Sequence, residues 1–169
     1  FVWGAHIGYL FIKTPDGACN GQLMGIGADA CSVGVLVDAI QPIGIQVTNG
    51  EFTAFTGEPN AGIVISPGVT GAAQFVNCTF WATPGGAAQV HGDAQVTFNA
   101  CHFVNKGDPG VIVADKGHLI VSSCSFAAKG TAVALQPGVS SALVFGNSQA
   151  GGLQVENKIG DLAKISLNE

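Results

Sequence analysis

The stretch QFVNCTFWAT, residues 74–83, sets the register of the whole chain. Its cysteine stands two residues before a phenylalanine, and the same arrangement returns in TFNACHFVNK and in IVSSCSFAAK. As a result Cys78, Cys101 and Cys124 are 23 residues apart, and Asn147 lies 23 residues further on. A fixed period of this length is the sequence signature of a protein built from stacked repeats.

Further columns of apolar residues keep the same register through short runs of alternating residues. They are Phe52, Phe80, Phe103 and Phe126; Val47, Phe75, Phe98, Val121 and Val144; and Ile45, Ala73, Val96, Leu119 and Ala142. Alternation in runs this short predicts strands, and no window has the period of a long amphipathic helix. We therefore predict an all-β fold, a parallel β-helix with three short strands per coil and six or seven coils stacked at ~4.8 Å.

The third run of each repeat, which follows a loop of variable length, predicts a sheet with one buried and one exposed face. Its inward column is predicted to be Val37, Ile65, Val90, Val113, Leu135 and Val155. Its first outward column is predicted to be Asp38, Ser66, His91, Ala114, Gln136 and Glu156. Its second is predicted to be Leu36, Val64, Gln89, Ile112, Ala134 and Gln154. The spacing varies here, as expected where loops differ in length.

The corner before each cysteine is predicted to need a left-handed backbone, which Asn and Gly tolerate best. Its first position holds Asn49, Asn77, Ala100, Ser123 and Gly146. The cysteines themselves are predicted to be a buried stack of free thiols. Side chains that point the same way on parallel strands rarely reach the disulfide dihedral angle. Cys19 and Cys31 remain a pair that could join in an oxidising compartment.

This pattern resembles the right-handed parallel β-helix of the pectate-lyase superfamily, over about residues 20 to 167. That superfamily includes polysaccharide lyases, polygalacturonase-type glycoside hydrolases and phage tailspikes. The resemblance implies that the Asn-favouring corner joins the second and third sheets, and that substrate lies along the outer face of the first. It also implies an extracellular or periplasmic location. The likeness is one of architecture: the chain has no arginine, which disfavours an arginine-based lyase, and the polygalacturonase motifs are absent.

We expect residues 1–169 to form a single β-helix domain. Residues 1–19 are expected to be an irregular or incomplete first coil, 20–161 regular coils and 162–169 a terminal strand. The opening FVWGAHIGYLFIK is apolar but lacks the layout of a signal peptide. We interpret the chain as part of a longer β-helix or as a trimmed product.

Composition argues against several kinds of partner and cofactor. Only 10% of residues are charged, the net charge is -5 and the six lysines are scattered, which argues against nucleic acid. No apolar run is long enough for a membrane helix. The cysteines lack paired spacing for zinc. Calcium would need convergent oxygens, and no motif joins Asp93, Asp108 and Asp115. We predict no cofactor, and calcium stays open as an alternative that no motif supports.

The candidate catalytic residues follow from the chemistry of glycoside hydrolysis, which needs two carboxyl groups. Asp38 and Asp93 are the best available pair, and His91 could act as acid, base or substrate contact. Gln89, Asp115 and Lys116 are the predicted substrate-binding residues. The simpler reading is that Asp93, Asp115 and Lys116 are turn residues with a surface ion pair. The first functional hypothesis is a carbohydrate-active protein that uses the outer face of the first sheet. It would be a polysaccharide hydrolase or lyase-like protein, or part of one, and if it is an enzyme it would resemble a glycoside hydrolase.

A second hypothesis rests on apolar side chains that are predicted to face outward. They are Val64, Ile112, Ile120, Leu143 and Phe145. Large apolar patches usually mark an interface, so another subunit, another domain or long loops would cover this wall. Further coils of a longer parent chain are the alternative to a homo-oligomer. The protein would then be a non-catalytic structural or carbohydrate-binding module that forms a homo-oligomer. The sequence leaves open whether the chain is an enzyme.

Overall fold

The computed structural model describes residues 1–53, 60–81, 86–104, 111–127 and 129–169. Within these ranges the chain forms short strands and one 3-10 helix at Gly160–Leu162. The strands belong to three sheets, which the chain visits in turn, and successive coils pair in parallel. The predicted all-β parallel β-helix is therefore confirmed.

Each coil contributes one strand to each sheet. The third sheet contains β1 (Val2–Trp3), β5 (Gly27–Asp29), β8 (Glu51–Thr53), β11 (Thr79–Trp81), β14 (His102–Phe103), β17 (Ser125–Phe126) and β20 (Ser148–Gln149). The first sheet contains β2 (Ile7–Phe11), β6 (Val33–Val37), β9 (Ala61–Ile65), β12 (Ala88–Val90), β15 (Ile112–Ala114), β18 (Val133–Leu135) and β21 (Val155–Asn157). The second sheet contains β4 (Gly17–Met24), β7 (Ile40–Thr48), β10 (Ala72–Val76), β13 (Gln95–Asn99), β16 (Gly117–Ser122), β19 (Val139–Phe145) and β22 (Ala163–Ser166). A short strand β3 (Lys13–Thr14) pairs antiparallel with β4.

The predicted columns of the second and third sheets are confirmed by the strand register. Phe75 pairs with Phe98, and Phe98 pairs with Val121. In the third sheet Phe52, Phe80, Phe103 and Phe126 form one continuous stack, with ring centroids 5.4, 5.0 and 4.8 Å apart. These rings are almost wholly buried, and each stacked aromatic pair contributes roughly 0.5–1.5 kcal/mol beyond its burial. The column thus fixes the coil register and fills the core.

The corner between the second and third sheets has the predicted left-handed backbone. The φ angles are 57° at Asn49, 52° at Asn77, 52° at Ala100, 55° at Ser123 and 63° at Gly146. Asn77 Nδ2 donates to Asn49 Oδ1 over 2.7 Å, so the two asparagines also bond from coil to coil. The less tolerant residues Ala100 and Ser123 adopt the same conformation because the coils on both sides hold them in register.

The column of cysteines is also as predicted. Cys78, Cys101 and Cys124 are buried and free, and Cys19 and Cys31 are likewise not joined. Asn147 occupies the next rung and is 1% exposed. Its Oδ1 accepts from the Cys124 N–H over 2.9 Å, and its Nδ2 donates to the Val121 carbonyl over 2.9 Å. A polar residue fits this internal position because the side chain supplies partners for backbone groups.

The predicted register of the first sheet is wrong at β15. Val113 was predicted to face inward, but it pairs with the outward residues Gln89 and Ala134. Ile112 and Ala114 face inward and are 0% exposed. The one-residue shift turns each side chain to the opposite face. Alternation failed to reveal it because all four residues of the run 111–114 are apolar.

Both outward columns change. The one-residue shift at β15 places Asp115, rather than Ala114, after His91. A separate two-residue error lies at β21, where Leu135 pairs with Asn157 and not with Val155, so Lys158, rather than Glu156, ends the first column. Glu156 pairs with Ala134 in the second column, where Gln154 had been predicted. The predicted apolar outer wall is smaller as a result, because Ile112 is internal and Val64 is only 8% exposed. Leu143 remains on the outer face and is 38% exposed.

The left-handed corner leads to a stability prediction. We expect Ala100→Asn to raise the free energy of unfolding by about 1 kcal/mol, because Asn tolerates a positive φ better than Ala. The new amide would also stand one rung beyond Asn77 and could extend the asparagine pair. Urea denaturation monitored by circular dichroism measures the change. Ala127→Asn is the control, since Ala127 is exposed without a positive φ; equal effects of the two substitutions would contradict the interpretation.

Candidate functional site

A row of polar residues follows the first sheet at the point where each strand ends. We call it the edge row: Asp38, Ser66, His91, Asp115, Gln136 and Lys158. Each backbone N–H donates to the carbonyl of the residue that ends the preceding first-sheet strand, over 2.8–3.0 Å. The six residues are therefore in register at ~4.8 Å per rung and span roughly 24 Å.

His91 and Asp115 form the closest charged contact of the edge row. His91 Nδ1 lies 2.8 Å from Asp115 Oδ2, and the side chains are 32% and 45% exposed. An ionised carboxylate can only accept, so Nδ1 carries the proton in this bond and Nε2 is left to face outward. Gln89 Oε1 lies 3.5 Å from Nε2 and could accept from it only when the ring is protonated at both nitrogens. The pair thus presents an oriented imidazole nitrogen at a partly exposed surface.

The carboxylate partner distinguishes His91 from the other three histidines. In all four, Nδ1 contacts a side chain of the next coil. The other contacts are His6 to Ser32 at 3.2 Å, His102 to Ser125 at 2.7 Å and His118 to Ser141 at 2.8 Å. A serine hydroxyl can donate or accept, so it does not select one tautomer. Asp115 does, and this is the arrangement found where histidine moves a proton.

Asp38 lies in a cleft of about 360 Å³ at the N-terminal end of the edge row. The cleft lies between the β3–β4 hairpin, the turn after Asp38 and the turn at Gly68 to Thr70. Lys13 is the basic residue of its lining. Asp38 is exposed and forms no ion pair within the described part of the chain. Its carboxylate is therefore available to a ligand.

Asp93 and Lys116 are exposed residues of the turns between the first and second sheets. Gly117 packs over the turn that carries Asp93, and a Cβ on Gly117 would come within 2.6 Å of the Gly92 carbonyl. The ion pairs of the described residues join His91 to Asp115 and Lys158 to Glu156. The suggested Asp93–Lys116 pair is therefore not formed. Gly92 packs on the turn from Ser66 to Val69. Asp93 therefore lies beyond that turn and not beside Asp38.

The C-terminal end of the edge row holds an ion pair. Lys158 Nζ donates to Gln136 Oε1 over 3.0 Å and lies 2.8 Å from Glu156 Oε1. The sequence predicted Glu156 in this row, and the two-residue difference in register at β21 gives the position to Lys158. The row therefore runs from Asp38, which forms no ion pair in the described chain, to Lys158, whose charge is paired with Glu156, with the His91–Asp115 pair between them.

Neither a metal cluster nor a membrane-spanning helix is found among the residues that the structure describes. No group of three or more His, Cys, Asp and Glu side chains in those ranges could hold a metal ion. Asp108, named above as a calcium candidate, lies outside the described residues. No helix of the described chain has the length and apolar character needed to cross a membrane.

The cysteine column is buried and does not form a reactive site. The hydrogen bond with Cys101 and burial raise the pKa of Cys78 above its ordinary range. The hydrogen bond with Cys124 and burial raise the pKa of Cys101 to about 12. The bond with Cys101 lowers the pKa of Cys124, but that thiol is only 2% exposed. Reactive thiols combine a low pKa with access to solvent, and none of the three combines them.

Comparison with known proteins gives one match. A family model described as "Right handed beta helix region" matches residues 30–159. No curated protein and no solved structure matches the chain. The match covers the coils that carry the edge row.

Thiol labelling tests the description of the cysteines. With iodoacetamide near neutral pH, we expect Cys19 to react in the native protein, because it is exposed and the other four cysteines are buried. All five should react after unfolding in guanidinium. Mass spectrometry of chymotryptic peptides identifies the labelled sites, because Leu23, Phe75, Phe80, Phe98 and Phe103 separate the cysteines, and native labelling of Cys78 or Cys101 would contradict the description.

The raised thiol pKa values also predict a loss of stability in alkali. Between about pH 9 and 12 the unfolded state releases protons that the folded state retains at Cys101. The free energy of unfolding should therefore fall as the pH rises through this window. Cys101→Ser or Cys101→Ala should reduce the slope, and urea denaturation at several pH values measures it. An unchanged slope in both variants would contradict the assignment.

Proposed function

The chain belongs to the family of right-handed β-helix proteins, and on that premise we propose that it binds a polysaccharide along the edge row and cleaves it as a glycoside hydrolase. The observation that carries the proposal is the edge row itself. A straight row of polar side chains spanning roughly 24 Å suits a linear polymer with a repeating pattern of hydroxyl groups. A polysaccharide substrate also implies an extracellular or periplasmic location.

His91 is the proposed proton-transfer group. Asp115 holds its Nδ1–H at 2.8 Å, which orients the ring and leaves Nε2 to exchange a proton with substrate or water. Asp115 would stabilise the imidazolium that forms when Nε2 takes a proton. Gln89, whose amide oxygen lies 3.5 Å from Nε2, is placed to bind the sugar hydroxyls next to the reacting bond.

Asp38 and Asp93 are the proposed carboxylates. Asp38 is two rungs from His91, so their backbones are roughly 10 Å apart. Asp93 and Lys116, on neighbouring turns, would bind the chain on the far side of His91.

A second candidate function is a non-catalytic module that binds carbohydrate or assembles through its outer wall. The observation that favours it is Leu143, an exposed leucine that pairs with the partly exposed Ile120 on the second sheet. Phe145 lies on the same strand and is also partly exposed. A second copy covering these residues would form a homo-oligomer; in the alternative, further coils of a longer chain would extend the β-helix.

Turnover of a panel of neutral and uronic-acid polysaccharides tests the first function. We expect reducing ends to accumulate with the wild-type protein. Asp38→Asn and His91→Gln should each lower kcat by at least about 100-fold, the usual contribution of general acid–base groups. Asp93→Asn should also lower the rate, through catalysis or through binding.

The matched controls are Asp161→Asn and His118→Gln, which change the same residue types at exposed positions away from the edge row. Both should retain the wild-type rate. Activity that survives Asp38→Asn, Asp93→Asn and His91→Gln would rule out the proposed site. Inactivity on every polysaccharide would favour the non-catalytic function.

Sedimentation of the wild type and of Leu143→Lys tests the second function. If the apolar outer wall is an interface between copies, the wild type should sediment as a stable oligomer and Leu143→Lys as a monomer. The buried charge of the lysine would have no partner across the interface. A monomeric wild-type protein at high concentration would contradict assembly through this wall.

A further inference from the structure

The second sheet is interrupted by a wide bulge in β7. Ile40 pairs with Cys19 and Ile45 pairs with Gly21, so the four residues 41–44 stand opposite Asn20 alone. Bulges of this kind re-aim side chains and are common beside functional sites. Neither the repeat period nor the proposed edge row accounts for this one.

The bulge is held firmly to the coils on both sides. Gln41 Nε2 donates to the Ala18 carbonyl over 2.9 Å, and Gln41 Oε1 accepts from Asn20 Nδ2 over 2.7 Å. On the other side, Gly44 has a φ of +83°, and a Cβ there would lie 2.1 Å from the Ala72 carbonyl oxygen. The backbone can close on the next coil only because this residue is glycine. The bulge is therefore a fixed wall.

A pocket of about 210 Å³ lies between this wall and the face of the second sheet. Gln22, Gln46 and Gln74 line it, and the strand register places them on three consecutive rungs. The three amides span roughly 10 Å at ~4.8 Å per rung. The bulge places Ile43 at the surface, where it is 79% exposed and forms the apolar side of the pocket. We call this the glutamine pocket.

The amides of the glutamine pocket are available for a ligand. In the described chain, no hydrogen bond holds the side chain of Gln22, Gln46 or Gln74. Each amide offers two N–H donors and one carbonyl acceptor, which now face solvent. The pocket lining contains no charged residue, so nothing in it would repay the desolvation of an ionic ligand.

We propose that the glutamine pocket binds a small neutral polyhydroxy ligand, one or two sugar units of a glycan. Hydroxyl groups both donate and accept, which matches a row of primary amides. The C–H face of a sugar ring is apolar and would pack on Ile43. The small volume limits the ligand to one or two rings, since pockets for larger molecules start at about 300 Å³.

This site does not depend on the proposed hydrolysis at the edge row. It lies on a different sheet and uses none of the residues proposed there. The two are neighbours, however, because the segment from Ile40 to Pro42 lines the cleft of Asp38 while Ile43 to Ile45 line the glutamine pocket. The bulge is thus a shared wall between them.

The test is titration of the ¹⁵N-labelled protein with short neutral oligosaccharides of glucose, galactose and mannose, and with oligogalacturonate as an anionic counterpart. At least one neutral probe should shift the side-chain amide signals of Gln22, Gln46 and Gln74. Gln46→Ala and Ile43→Ser should each weaken that binding about tenfold, the loss expected for one well-placed interaction. Both positions are at the surface, so folding should be retained.

Gln95→Ala is the matched control, an exposed glutamine of the same sheet that lies outside the pocket, and it should bind as the wild type does. Asp38→Asn should also bind normally, which separates this site from the proposed hydrolysis. The proposal is overturned if no neutral probe shifts the three amides. It is also overturned if both pocket variants bind as the wild type does, or if the anionic probe binds in preference to the neutral ones.

Discussion

Parallel hydrogen bonding between successive coils places every residue directly beside its counterpart of the previous coil, at ~4.8 Å. Each position along the coil therefore has to accept a similar neighbour on both sides. Phenylalanine does so by stacking, as Phe52, Phe80, Phe103 and Phe126 do at 4.8–5.4 Å. Asparagine does so by amide-to-amide bonding, as Asn77 does with Asn49. Most features of the chain follow from this requirement.

The same requirement explains why charge is scarce and how the charge present is arranged. Like charges on adjacent rungs would repel, so a stacked fold favours neutral side chains. Only 10% of the residues are charged. In the edge row, neutral Ser66 separates Asp38 from His91, and Gln136 separates Asp115 from Lys158. The only adjacent titratable residues, His91 and Asp115, attract each other.

The second and third sheets could be predicted from the sequence because Cys78, Phe80 and Phe98 recur at a constant period. The first sheet could not be predicted throughout, because the run 111–114 is apolar on both faces and the loops before it vary in length. The one-residue error placed Ala114 beside His91 and so concealed the contact with Asp115. The bulge was missed for another reason. Pro42 and Gly44 are local signals of a turn. The hydrogen bond between Gln41 and Asn20, which holds the bulge in place, joins two neighbouring coils and therefore leaves no local signal in the sequence.

The division between regular and irregular parts of the molecule also limits where function can lie. Within the regular coils the strand register fixes the position of each outward side chain along the axis of the β-helix. This regular spacing suits a long ligand that repeats along the same axis. The edge row has that geometry, and its ends differ in charge, from Asp38 to Lys158. A linear polymer with two distinguishable ends would therefore bind in one preferred direction. Recognition of a compact ligand requires a departure from the repeat, and the bulge of β7 supplies one where the glutamine amides meet Ile43. The stacked coils thus fix the spacing of the side chains, and the bulge encloses the pocket for a compact ligand.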